Sequence, residues 1–123
     1  MIKFKDYINK CLEIKFSYDN NFEEFGKPMD CYGFVYWCYK DCLGKQLEKF
    51  NVQQLSDVKC IDYVEVNKPK DFDVVNIKSD LGISHNHIGI YYQGHVYHFT
   101  HNGLAVDRID IIKPYVRGYY HAC

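Results

Sequence analysis

The stretch PMDCYGFVYWCYKDCLG, residues 28–44, decides how this chain is read. Asp30 has N-cap chemistry: its side chain can accept from a backbone N–H of the first helical turn, which has no partner within the helix. From residue 31 to residue 43 the pattern is helical, with Cys31, Val35, Cys38 and Cys42 stepping by four, three and four along one stripe. Gly44 supplies the residue that commonly ends such a helix. Cysteines on an apolar stripe read first as small buried hydrophobes, and Cys38 and Cys42 fit that reading. Cys31 differs by position. At the first turn, unpaired N–H groups and the helix dipole favour an anion, which lowers a thiol's pKa and makes it nucleophilic.

Working outward, residues 3–16 carry Phe4, Tyr7, Ile8, Cys11, Leu12 and Ile14 near the spacing of one helical face. The polar segment 18–28, with Gly26 and Pro28, is a loop, and residues 45–60 hold a shorter helix. From about residue 61 the pattern turns to period two with β-branched residues. Candidate strands are IDYVEV (61–66), FDVVNI (72–77), HNHIGIYY (85–92), HVYHFT (95–100), LAVDRI (104–109) and VRGYY (116–120). Tight turns are expected at Gln93-Gly94 and Asn102-Gly103. Helices first and an antiparallel sheet afterwards is an α+β arrangement, expected to be one domain over residues 1–123.

Composition narrows the functional classes. With 47% hydrophobic and 17% aromatic residues the chain has enough apolar surface for a packed core. A net charge of -1 without a basic cluster argues against nucleic acid as a partner. No apolar run is long enough to insert into a bilayer, and MIKFKDYINKCLEIKF lacks the apolar core of a secretory signal. The protein is therefore expected to be made in a cytosol with its thiols reduced. Six cysteines at irregular spacing, with no CxxC pair, argue against a disulfide framework and a cysteine zinc site.

A nucleophilic thiol needs a base, usually histidine, oriented by a third group. The six histidines, at 85, 87, 95, 98, 101 and 121, all lie in the last third. If Gln93-Gly94 is a two-residue hairpin loop, Tyr92 pairs with His95 and Gly89 faces His98. His87 then lies one diagonal step from His98 on the same face, with Gly89 leaving space between the rings. By the same alternation His95 and His101 point to the other face, and a solvated surface is the simplest reading for His85, His95, His101 and His121. Three imidazoles at 85, 87 and 98 could instead hold a metal, but no Asp or Glu stands among them in sequence, so no metal and no cofactor is expected.

DCYGFVYWCYKDCLG resembles the nucleophile helix of the NlpC/P60 cysteine peptidases, and HNHIGIYYQGHVYHFTHNGLAVDRI resembles their second block, H-[VI]-GIY-x-G with a later histidine. NKPKDFDVVNI is similar to the strand before that histidine, so the resemblance covers roughly residues 16–120 in the family's order. It implies a papain-like α+β fold with the nucleophile helix packed on an antiparallel sheet. It also implies catalytic roles: Cys31 as nucleophile, His87 as general base, His98 as the residue orienting the base. Tyr18 matches a family tyrosine that precedes the nucleophile, and the Cys31 N–H is an oxyanion donor. The implied activity is hydrolysis of amide bonds in peptidoglycan stem peptides.

The match departs from the family at three places. Tyr32 stands where many members carry Ser. Phe72 replaces the usual Gly before Asp73, which implies a different path into that strand. The segment before the cysteine, FSYDNNFEEFG, has lost the usual Y-x-x-GG. The aromatic after the cysteine and the GYY ending at 118–120 resemble the peptidase component of bacteriophage tail tips. That branch implies a protein made in the host cytoplasm, built into the virion tail beside tail-tip and hub proteins, and acting on the cell wall. A structural tail component with weak or lost catalysis, and a bacterial amidase toxin, are the alternatives.

Overall fold

The computed structural model describes residues 1–47, 63–78 and 86–122. The helix expected within 45–60 lies outside these residues beyond Leu47, as do His85, Cys60 and Cys123.

Helix α1 spans Phe4–Cys11, and α2 spans Cys31–Cys38 and continues as a π-helical turn over Tyr39–Leu43. The strands are β1 Tyr63–Val66, β2 Val74–Lys78, β3 Asn86–Tyr92, β4 His95–Thr100, β5 Gly103–Arg108 and β6 Val116–Ala122. Between β5 and β6 come a short helix α3, Ile109–Ile112, and a 3-10 turn, Lys113–Tyr115. The strands form one antiparallel sheet in the order β1-β6-β2-β3-β4-β5. All six strands fall where alternation placed them, so the helices-then-sheet α+β reading holds.

Helix α2 is buried on every side: each residue from Cys31 to Cys38 is inaccessible or nearly so. An apolar stripe understates it, because a helix apolar all round is a central helix. Val74, Ile88, Ile90 and Phe99 cover it from the sheet, α1 covers it with Phe4, Tyr7 and Cys11, and the Tyr7 hydroxyl donates to Phe34 O at 2.6 Å. The start of α2 is fixed by Asp30, whose Oδ1 accepts from Gly33 N–H at 2.8 Å. At Gly33 an added Cβ would stand 2.1 Å from Asn20 O, so only glycine lets the 18–28 loop cross this turn. Gly44, at φ +64, ends the π-helical turn by donating to Tyr39 O.

Two boundaries differ from the sequence expectation. Helix α1 stops at Cys11 rather than residue 16, because the chain turns to pair with the approach to Cys31. Phe16 bridges Met29, with Ser17 N–H donating to Met29 O at 3.0 Å and Met29 N–H to Lys15 O at 3.1 Å. In the β4–β5 hairpin the loop residues are His101-Asn102, one earlier than the Asn-Gly pair. Thr100 faces Gly103, which opens β5 at φ +95. The Thr100 hydroxyl stabilises this turn by accepting from Asn102 N–H at 3.1 Å and donating to Gly103 O at 2.9 Å.

The path into β2 passes through Phe72, which takes a positive φ (+73), a conformation that glycine adopts freely. Its ring packs edge-on against Phe4 and Tyr92, which offsets the conformational strain of a bulky residue there.

Candidate active site

Cys31 is the first residue of α2 and only 5% exposed. The backbone N–H groups of Ile88 on β3, Cys31 and Tyr32 favour a thiolate, but burial outweighs them and pushes the thiol up to about 12. The lowered pKa expected from the helix start is therefore not observed: the thiol is the resting form, and a base must remove its proton. Asp30, next in sequence, is also raised by burial, to about 6, against the N–H groups of Gly33 and Tyr32 that favour its charge.

His87 precedes Ile88 on β3. The β3–β4 register is the expected one, with Gly89 opposite His98 and Tyr92 opposite His95. His87 Nε2 lies 2.7 Å from His98 Nδ1, with the rings 4.9 Å apart at 73°. Gly89 makes this approach possible: a Cβ there would stand 2.7 Å from Tyr97 O and 2.9 Å from His98 Cβ. Burial, then the neighbouring His98 and His101, depress His87 to about 3. His87 is thus an uncharged imidazole at neutral pH, the form in which it can accept a proton.

An acid stands behind this pair. His98 Nε2 lies 2.6 Å from Asp107 Oδ2 on β5. Sequence reasoning missed Asp107 because it looked for an acid among the histidines rather than across the next hairpin. The signal was present: the β4–β5 hairpin pairs Val96 with Asp107 and His98 with Ala105, which sets Asp107 one diagonal step from His98 on the same face.

The remaining candidates fall in different places. His101 is not on the far face; it sits in the β4–β5 turn with its ring 4.5 Å from Phe16, near enough to disfavour a proton on His87. Tyr18 is 83% exposed, and its hydroxyl reaches His101 Nε2 at 3.4 Å, so it stands at the rim of the histidine cluster. His121 is not merely solvated: its Nδ1 lies 2.7 Å from Oδ1 of buried Asp73, whose other oxygen accepts from Lys70 N–H at 2.7 Å. His95 is exposed beside Gln93 O, as expected. Cys11, Cys31, Cys38 and Cys42 are free thiols, and among the described residues no three His, Cys, Asp or Glu side chains are arranged to hold a metal ion.

The sequence model of the NlpC/P60 family matches residues 15–122. No curated protein matches the chain. Among solved structures, the NlpC/p60 domain of peptidoglycan hydrolase SagA superposes with a TM-score of 0.58, covering 98% of this chain and 99% of that one at 17% identity. At that identity the likeness is one of fold: a papain-like α+β domain with helices packed on an antiparallel sheet.

Proposed function

The chain belongs to the NlpC/P60 family of cysteine peptidases and peptidoglycan hydrolases, and from that premise we propose that it hydrolyses amide bonds in peptidoglycan stem peptides. The observation that carries this reading is Cys31 opening a buried helix packed on β3, the strand that carries His87, with His87 paired to His98 at 2.7 Å. In the proposed reaction His87 takes the Cys31 proton as the sulfur attacks the scissile carbonyl. The oxyanion forms at the start of α2, where the Cys31 N–H has no helical partner. The His87 imidazolium then protonates the leaving amine, giving a thioester on Cys31. Water, deprotonated by His87, releases the acid and restores the thiol. His98 holds the imidazole in place, and Tyr18 lies where it meets substrate at the rim.

We further propose the tail tip of a bacteriophage as the setting, with tail-tip and hub proteins as neighbours and synthesis in the host cytoplasm. Tyr32 after the cysteine and the GYY run at 118–120 support this branch. A structural tail role with little catalysis is the competing reading, favoured by the burial of Cys31 and its raised thiol. Digestion of purified sacculi by the wild type and Cys31→Ala, with released peptides read by mass spectrometry, decides between them. The wild type is expected to release peptides with new amine and carboxyl ends and the variant none; equal release by both removes Cys31 from the chemistry, and no release by either favours the structural role.

A further inference from the structure

Asp107 is half-exposed on β5, and its carboxylate contacts only the far nitrogen of His98 among the hydrogen bonds described. We propose that Asp107, acting through His98, fixes where the protons sit on the two histidines, so that His87 presents an unprotonated Nδ1 to the cysteine. The inference deepens the peptidase reading and rests on it for the role of His87.

The argument follows from donor and acceptor capacity. A carboxylate only accepts, so at 2.6 Å from Asp107 Oδ2 the His98 Nε2 must carry hydrogen. An uncharged His98 then has its lone pair on Nδ1. The 2.7 Å approach to His87 Nε2 is a hydrogen bond only if His87 Nε2 carries the proton and donates it. The His87 lone pair is left on Nδ1, the ring nitrogen outside this chain of bonds. The opposite tautomers would set a bare His98 Nε2 against the carboxylate, two acceptors in repulsive contact. Asp107 therefore excludes the arrangement in which His87 has no free base.

The same geometry gives a pH dependence. The charged or titratable groups acting on or bonded to the pair are His101 from the β4–β5 turn, with Tyr18 upon it, and Asp107 from β5. A second proton on His98 occupies Nδ1 and turns it from acceptor to donor. His87 Nε2 must then accept, its own hydrogen moves to Nδ1, and the base is lost.

Asp107 is a positioning residue, tested by variants at a side chain 43% exposed, where substitution leaves no buried cavity. The imidazole nitrogens of the wild type, Asp107→Ala and Asp107→Glu are followed by 15N NMR. In parallel, kcat and KM on a soluble stem peptide are measured against pH. The wild type is expected to show protonated Nε2 on both rings at neutral pH. Asp107→Ala is expected to mix tautomers on both rings and lower kcat about 10- to 100-fold, with KM changing less than about threefold. Asp107→Glu is expected to restore the ring pattern. Unchanged ring signals in Asp107→Ala, or a wild type with His87 protonated on Nδ1, overturn the proposal. If the wild type cleaves nothing, the ring signals still decide the role of Asp107, and the peptidase reading alone falls.

Discussion

At the residue scale the site depends on side chains and on one missing side chain. Cys31 and His87 are both uncharged at rest, one raised to about 12 and the other depressed to about 3 by the same cause, burial. In the proposed reaction, proton transfer between them is therefore coupled to attack rather than completed beforehand. It follows that iodoacetamide labelling of Cys31 at neutral pH depends on His87, and His87→Ala is expected to slow it by about tenfold or more. Equal rates in both proteins would mean that His87 does not serve the thiol. In turnover, His98→Ala is expected to cost less than His87→Ala, since it orients the base rather than moving the proton; the reverse ranking would exchange their roles. Gly89→Ala tests the space between the rings. Its methyl group would stand 2.9 Å from His98 Cβ, and the expected result is a loss of kcat with the protein still folded. Full activity would show that the hairpin gives way at no cost.

At the scale of elements, the strands and α2 were legible because their signals are local: alternation, a capping aspartate, and glycines with positive φ. The Gln93-Gly94 loop fixed a register, and the register brought His87 to His98. What was not legible depended on distant chain. Helix α1 ends early because Phe16 pairs with Met29, and Asp107 reaches His98 only across a second hairpin. The Cys31 thiol is raised because packing buries it, and no spacing of residues reports how dry a helix start will be. Two substitutions test how α2 is held. Asp30→Ala removes the bond to Gly33 N–H and is expected to cost about 1 kcal/mol in chemical denaturation. Gly33→Ala places a methyl group 2.1 Å from Asn20 O and is expected to cost clearly more, because a backbone carbonyl must move. A smaller loss at Gly33 than at Asp30 would contradict the account of the loop crossing.

For the whole molecule, the site's groups make stability depend on pH in opposing directions. An unfolded chain protonates His87 near 6.5, whereas the folded chain resists to about 3, so this contribution is lost as pH falls through that window. Asp30 acts oppositely. Its folded carboxyl holds a proton to about 6 and its unfolded one to 3.8, so its contribution is full below 3.8 and lost as pH rises to 6. His87 covers the wider window, and these two groups together leave the fold weaker on the acid side. Between about pH 7 and pH 4 the urea midpoint of the wild type is expected to drop relative to that of His87→Gln, in which the Asp30 contribution alone raises it toward acid; parallel curves would show that His87 protonates freely in the folded state.

The central claim is that Cys31 attacks a stem-peptide carbonyl and carries the acyl group as a thioester. Rapid mixing with a soluble stem peptide, acid quench, and peptide mapping by mass spectrometry test it most directly. The account predicts an acyl adduct on the Cys31-containing peptide, formed before product is released and absent from Cys31→Ala. Product formation at the wild-type rate by Cys31→Ala, or an adduct on another cysteine, would contradict it.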